Sequence, residues 1–85
     1  MNKIFEKKTG QNIRRLREEK GMTQEQLSAK LQTHNCDITR SALAKIEVGQ
    51  RHLYPDEIYH IRHILGITYE EIFEEPQSSK TVSLK

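Results

Sequence analysis

Apolar side chains recur along this chain at helical spacing, between polar residues of the kinds that start and stop helices. Ile13 and Leu16 lie three apart among Arg14, Arg15, Arg17, Glu18 and Glu19, and Gly21 follows, which predicts a first helix from Thr9 to Lys20. Thr23 then opens Thr-Gln-Glu-Gln, a capping box in which the Thr23 hydroxyl accepts from the Gln26 amide and the Gln26 side chain reaches back. A second helix therefore begins at Gln24, with Leu27 and Leu31 on its inner face. The stretch Gln32 to Asp37, QTHNCD, has no period and is rich in turn formers, so it reads as a loop. Thr39 can cap a third helix, Ile38 and Leu43 have the spacing of a hydrophobic staple across its start, and Gly49 ends it.

Pro55 suits a first helical position, and Ile58, Ile61, Ile64 and Leu65 then form one apolar stripe up to Gly66. A short fifth helix opens at Thr68 in a second capping box, Thr-Tyr-Glu-Glu, with Ile67 and Ile72 as its staple and Pro76 as its stop. There is no strand pattern and no internal repeat. The expected fold class is all-α, a compact five-helix bundle of residues 1–75 followed by a flexible C-terminal tail, 76–85.

Composition narrows this further. With 85 residues, 34% of them hydrophobic and no Trp, the chain has material for one core. Charge is unevenly spread: residues 1–51 hold 11 Lys and Arg against 6 Asp and Glu, whereas residues 52–85 hold 3 against 6. Any surface facing a polyanion is therefore N-terminal. The single cysteine, Cys36, excludes an intrachain disulfide and a multi-cysteine zinc site, and suits a reducing cytoplasm. No apolar run is long enough to span a membrane, and the start, MNKIFEKK, lacks the apolar stretch of a signal peptide, so neither membrane insertion nor export is expected. His34, His52, His60 and His63 show no metal-ligand spacing, and no nucleophile, base and oxyanion set can be assembled. No cofactor, metal or catalytic activity is expected, and Cys36 reads as a bystander.

Chemistry concentrates on helix three. Wound at about 100° per residue, Ile38, Leu43 and Ile46 point inward, while Arg40, Ser41, Ala44, Lys45 and Val48 form the opposite stripe. That stripe carries two cations and a hydroxyl and no bulky apolar group. A B-DNA major groove, about 12 Å wide, admits one α-helix, and Arg or Lys can donate there to guanine O6 and N7. Arg40 opposes the helix dipole at its first-turn position, which gives a functional reason for it more weight.

The runs KGMTQEQLSAKL, SALAKIEVGQR and LGITYEEIF stand in an order and spacing that resemble the Cro/cI-like (XRE) helix-turn-helix family, over about residues 10 to 73. The resemblance implies a lambda-repressor-like DNA-binding domain whose second and third helices form the helix-turn-helix. It implies base reading by Arg40, Ser41, Ala44 and Lys45, with the Ala44 methyl against thymine, and contacts to the DNA backbone by Gln24, Thr39, Gly49, Gln50 and Arg51. It further implies a scaffolding ion pair between Arg17 of helix one and Glu47 late in helix three. One departure stands out: the family joins these helices by a turn of about 3 to 4 residues, and Gln32 to Ile38 adds about five more. A lengthened loop between the same two helices is expected, with phosphate contacts from His34 and Asn35, or a displaced helix three, as the alternatives.

The function so implied is sequence-specific binding of double-stranded DNA by a cytoplasmic, nucleoid-associated regulator of bacterial or phage type, expected to be a repressor and a homodimer. Tyr69, Ile72, Phe73, Ile4 and Phe5 are candidates for the dimer surface, although packing on helix four or one explains them equally well. The alternative is a protein-binding module of the same fold, an antitoxin, antirepressor or regulatory subunit, with the C-terminal tail folding on a protein partner.

Overall fold

The polar signals act where the pattern places them. The Thr23 hydroxyl accepts from the Gln26 amide at 3.0 Å while the Gln26 side chain accepts from the Thr23 amide at 2.8 Å. Thr68 and Glu71 repeat the arrangement at 3.0 and 2.8 Å, and Thr39 accepts from the Ala42 amide at 3.1 Å. Around these caps a computed structural model describes residues 3–74 as five helices: α1 (Lys3–Glu19), α2 (Gln24–Thr33), α3 (Arg40–Glu47), α4 (Pro55–Leu65) and α5 (Tyr69–Phe73). No strand forms among the described residues, and the fold class is all-α. The expected domain boundary at residue 75 and the tail 76–85 lie outside the described residues.

The first four helices end alike. Gly21, Asn35, Gly49 and Gly66 take positive φ, and the amide after each donates to a carbonyl five residues back. Those bonds run from Met22 to Arg17, Cys36 to Leu31, Gln50 to Lys45 and Ile67 to Arg62. This satisfies carbonyls that a helix end leaves open and reverses the chain within two residues.

Two boundaries differ from the pattern. α1 starts at Lys3 rather than Thr9, because residues 3–8 contain no stop signal and Gly10 does not break the helix. Gly10 is there for close approach: a Cβ at that position would run into the Ile46 carbonyl oxygen of α3. Gly49, just past α3, meets the same face of α1 one turn earlier, its missing Cβ lying 2.9 Å from the Lys7 Cα. The second difference is in the loop. α2 continues through Gln32 to Thr33, since Asn35, a residue that tolerates left-handed backbone, serves as its stop. The connection to α3 is thus residues 34–39, and it is tied down, with Cys36 and Ile38 buried and the Ser28 hydroxyl donating to the Ile38 carbonyl at 2.8 Å.

The core is formed by Ile13 and Leu16 of α1, Leu27 and Leu31 of α2, Leu43 and Ile46 of α3, and Ile61 and Leu65 of α4, with Ile38, Ile67 and Ile72 closing it. α1 packs on α3 and α5, and α2 packs on α3 and α4. Asn12 fastens α5 by donating to the Ile72 and Glu74 carbonyls, each at 2.9 Å.

The α1 to α3 contact also holds the buried charges. Arg17 and Glu47, 6% and 2% exposed, form a two-pronged pair: Nε donates to Oε2 at 2.7 Å and a terminal nitrogen to Oε1 at 3.0 Å. The other terminal nitrogen of Arg17 donates to the Met22 carbonyl at 2.7 Å, and the Gln24 amide donates to Glu47 Oε1 at 3.0 Å. The hydrogen bond to Glu47 holds the Arg17 guanidinium above its ordinary pKa, against the opposing effect of burial. One carboxylate therefore joins α1, the turn after it and the start of α2 to the end of α3.

Two substitutions test this packing. A glycine inside a helix normally gains about 1 kcal/mol on replacement by alanine. At Gly10 the collision with the Ile46 carbonyl reverses the sign, and Gly10→Ala should destabilise by about 1–3 kcal/mol in denaturant unfolding. Glu47→Ala strands the buried Arg17 charge and should cost about 3–5 kcal/mol in the same measurement.

Candidate nucleic-acid interface

α3 sits between α1 and α2, with its cap at Thr39 and its last turn anchored through Glu47. Leu43, Ile46 and Glu47 are buried, which leaves the opposite stripe outward. Arg40, Ser41 and Lys45 are exposed, Ala44 is partly covered and Val48 is 47% exposed. Neither the 34–39 loop nor any other described segment buries this stripe. Among the described residues, Arg40 and Lys45 have no ion-pair partner, whereas Arg14, Arg15, Arg17 and Arg51 each have one.

The dipole singles out the same helix. α1, α2, α4 and α5 each carry an acidic side chain in the first turn, where negative charge is favoured. α3 carries none and begins with Arg40. Its start is short of stabilising charge and rich in donors, which suits an anionic partner better than an isolated helix.

The residues expected near a DNA backbone differ in what they have free. Gln24 gives one amide proton to Glu47 and keeps its second. Thr39 accepts from Ala42 through its hydroxyl oxygen, so the hydroxyl proton remains available. Gln50 is exposed, but its backbone amide is used on the Lys45 carbonyl, and that of Gly49 is used on Ile46. Arg51 is not a free cation. Its guanidinium donates to both oxygens of Glu57 at 2.9 and 3.1 Å and to the His52 carbonyl at 2.9 Å. This partner lies across the α3 to α4 loop, outside any helical spacing, and only the structure reveals it.

Other expected bystanders are placed as follows. His34 approaches His60 and His63, with ring centroids 6.3 and 5.8 Å apart, and His52 pairs with Glu6 at 3.1 Å. Among the described residues no group of three or more His, Cys, Asp or Glu side chains is arranged to hold a metal ion. Burial pushes the Cys36 thiol up, away from the reactive thiolate form. No helix among the described residues is long and apolar enough to cross a membrane.

The Arg51 pair has a pH signature. Burial alone would raise the Glu57 carboxyl, but hydrogen bonds from Arg51 and the Tyr54 amide outweigh it and hold the group below its usual 4.5. A carboxyl depressed in the folded state contributes stability that is complete above the unfolded pKa and disappears as pH falls through the folded one. Glu57→Gln should therefore flatten the loss of stability on acidification below about pH 5, as read from unfolding midpoints across a pH series.

Among known proteins, the sequence model of a helix-turn-helix domain matches residues 10–78. Neither curated proteins nor solved structures give a significant match. The matched span takes in α2 and α3, the loop that joins them and the stripe described above, and by that match the chain belongs to the helix-turn-helix domain family.

Proposed function

We propose that the protein is a Cro/cI-like (XRE-type) regulator that binds double-stranded DNA sequence-specifically, with α3 in the major groove. The observation that carries this is the outward stripe of α3: two unpaired cations and a hydroxyl on a helix whose first turn lacks the usual acid. Arg40 and Lys45 are placed to donate to guanine O6 and N7, Ser41 to a base edge or phosphate, and Ala44 to touch a thymine methyl. Thr39, the second amide proton of Gln24 and the Gln50 side chain supply phosphate contacts, which position the domain without reading sequence. Gly49 acts through shape, by bringing the backbone turn close to α1. Arg51 braces that turn through Glu57, and a phosphate reaching its part-exposed guanidinium shares it with that carboxylate.

The regulator acts as a homodimer on a pseudo-palindromic site, with recognition helices about 34 Å apart, and represses by occupying a promoter. Ile4 and Phe5 are 74% and 48% exposed, and Phe5 stacks on the partly buried Phe73 at 6.0 Å, forming an apolar edge suited to self-association. Ile72, an expected dimer residue, is fully buried and belongs to the core. The unpaired Arg40 and Lys45 and the Ser41 hydroxyl weigh against a protein-binding module, because protein interfaces favour aromatic and aliphatic anchors at their centre and the stripe offers one such side chain, Val48.

Selection of bound duplexes from a random pool at fixed salt should enrich a motif with two-fold symmetry. On that motif, Arg40→Ala should cost about 1–3 kcal/mol at one position of each half-site, whereas Gln50→Ala should weaken all duplexes by one factor. Equal loss on specific and random DNA for Arg40→Ala would contradict the assignment of base reading to α3.

A further inference from the structure

Val48 is an exposed branched apolar side chain on the same stripe as Arg40 and Lys45, which corrects the expectation of a stripe without a bulky apolar group. It closes α3 as its C-cap, and at about 100° per residue it falls at the centre of the outer stripe, one turn beyond Ala44 and between the tracks of Ser41 and Ala44. It points almost directly away from the buried Leu43, Ile46 and Glu47. Among the described residues the large hydrophobic side chains left exposed are Ile4, Phe5, Val48, Tyr54, Tyr59 and Tyr69, and of these Val48 alone borders α3, as its C-cap. It belongs neither to the core nor to the partly buried side chains packed around the core.

In a major groove one base carries an apolar group on its edge, thymine with its 5-methyl. Resting on the DNA-binding reading above, we propose that Val48 is a specificity-determining residue that reads a thymine methyl under the last turn of α3. Ala44 and Val48 then form a continuous apolar ridge along the stripe, flanked by Arg40 at one end and Lys45 at the side. The hydrogen-bonding ends select guanine and the ridge selects thymine, which divides the half-site into a G-reading part under the first turn and a T-reading part under the last.

The test uses the duplex enriched from the random pool, with each thymine replaced in turn by deoxyuridine, which lacks only the methyl group. For the wild-type chain, at least one replacement in each half-site, under the last turn of α3, should lower affinity about three- to tenfold, the range for burying one methyl group. Val48→Ala should bind the thymine and uracil duplexes equally at that position while keeping its preference at the guanines. Because Val48 is outside the core, the variant should keep the wild-type unfolding midpoint, and Val48→Ile should retain the discrimination. An enriched motif that binds equally well with every thymine replaced, or that contains no thymine, overturns the role of Val48 and leaves the DNA-binding reading standing. So does a Val48→Ala variant that keeps the wild-type ratio of thymine to uracil binding. Failure to enrich any sequence overturns both.

Discussion

A buried arginine and glutamate hold this fold in register. Removing two charges from water is expensive, and the cost is met only where geometry is good and every charged nitrogen and oxygen has a hydrogen-bond partner. Arg17 and Glu47 meet both conditions, with two parallel hydrogen bonds between them, a third from Arg17 to the Met22 carbonyl and a fourth to Glu47 from Gln24. Such a pair gives little net stability compared with an apolar contact of the same volume, but it tolerates few relative positions of its helices. It fixes α3 against α1 and against the start of α2 simultaneously. The orientation of the outer stripe follows, since a helix held at its last turn by Glu47 and along its length by Leu43 and Ile46 has one face left for solvent.

The absence of side chains at two glycines allows that pair to form. Gly10 lets α1 lie directly on the Ile46 carbonyl, and Gly49 lets the turn after α3 fold back on Lys7. Around this contact, Asn12 secures α5, Ser28 secures the loop before α3, and Glu57 secures Arg51 in the loop after it. The last two fix the loops at the two ends of α3. The surface between them is therefore rigid where a duplex would meet it, which lowers the ordering cost of binding.

Much of this was legible in the sequence because it is local. A Thr followed three residues later by Gln or Glu, or a Gly after the last apolar residue, carries its own geometry, and the starts of α2, α3 and α5 follow from such signals. The apolar period separated the inner face of α3 from the outer one. What escaped depends on contacts between distant residues. Ile4 and Phe5 stay exposed and add nothing to the apolar stripe that marks α1, so α1 reads as shorter than it is, and Gly10 inside it shows its purpose only once α3 is laid across it. Asn35 looks like loop composition until the Cys36 amide is seen returning to Leu31, so the connection reads as starting at Gln32. Arg51 looks like one more cation near a helix end, and Glu57 six residues later lies on no shared helix face that would announce the pair. The unpaired state of Arg40 and Lys45 is likewise a property of the whole fold.

On the proposed reading, the scaffold makes the outer stripe of α3 a major-groove reader. Chemical methylation of the selected duplex tests this directly, because dimethyl sulfate attacks guanine N7 in the major groove and adenine N3 in the minor groove. The account predicts that the bound protein protects guanine N7 in each half-site while adenine N3 remains reactive, and that Arg40→Ala restores reactivity at one of those guanines. Tight binding with every N7 still reactive, or protection confined to adenine N3, would contradict it.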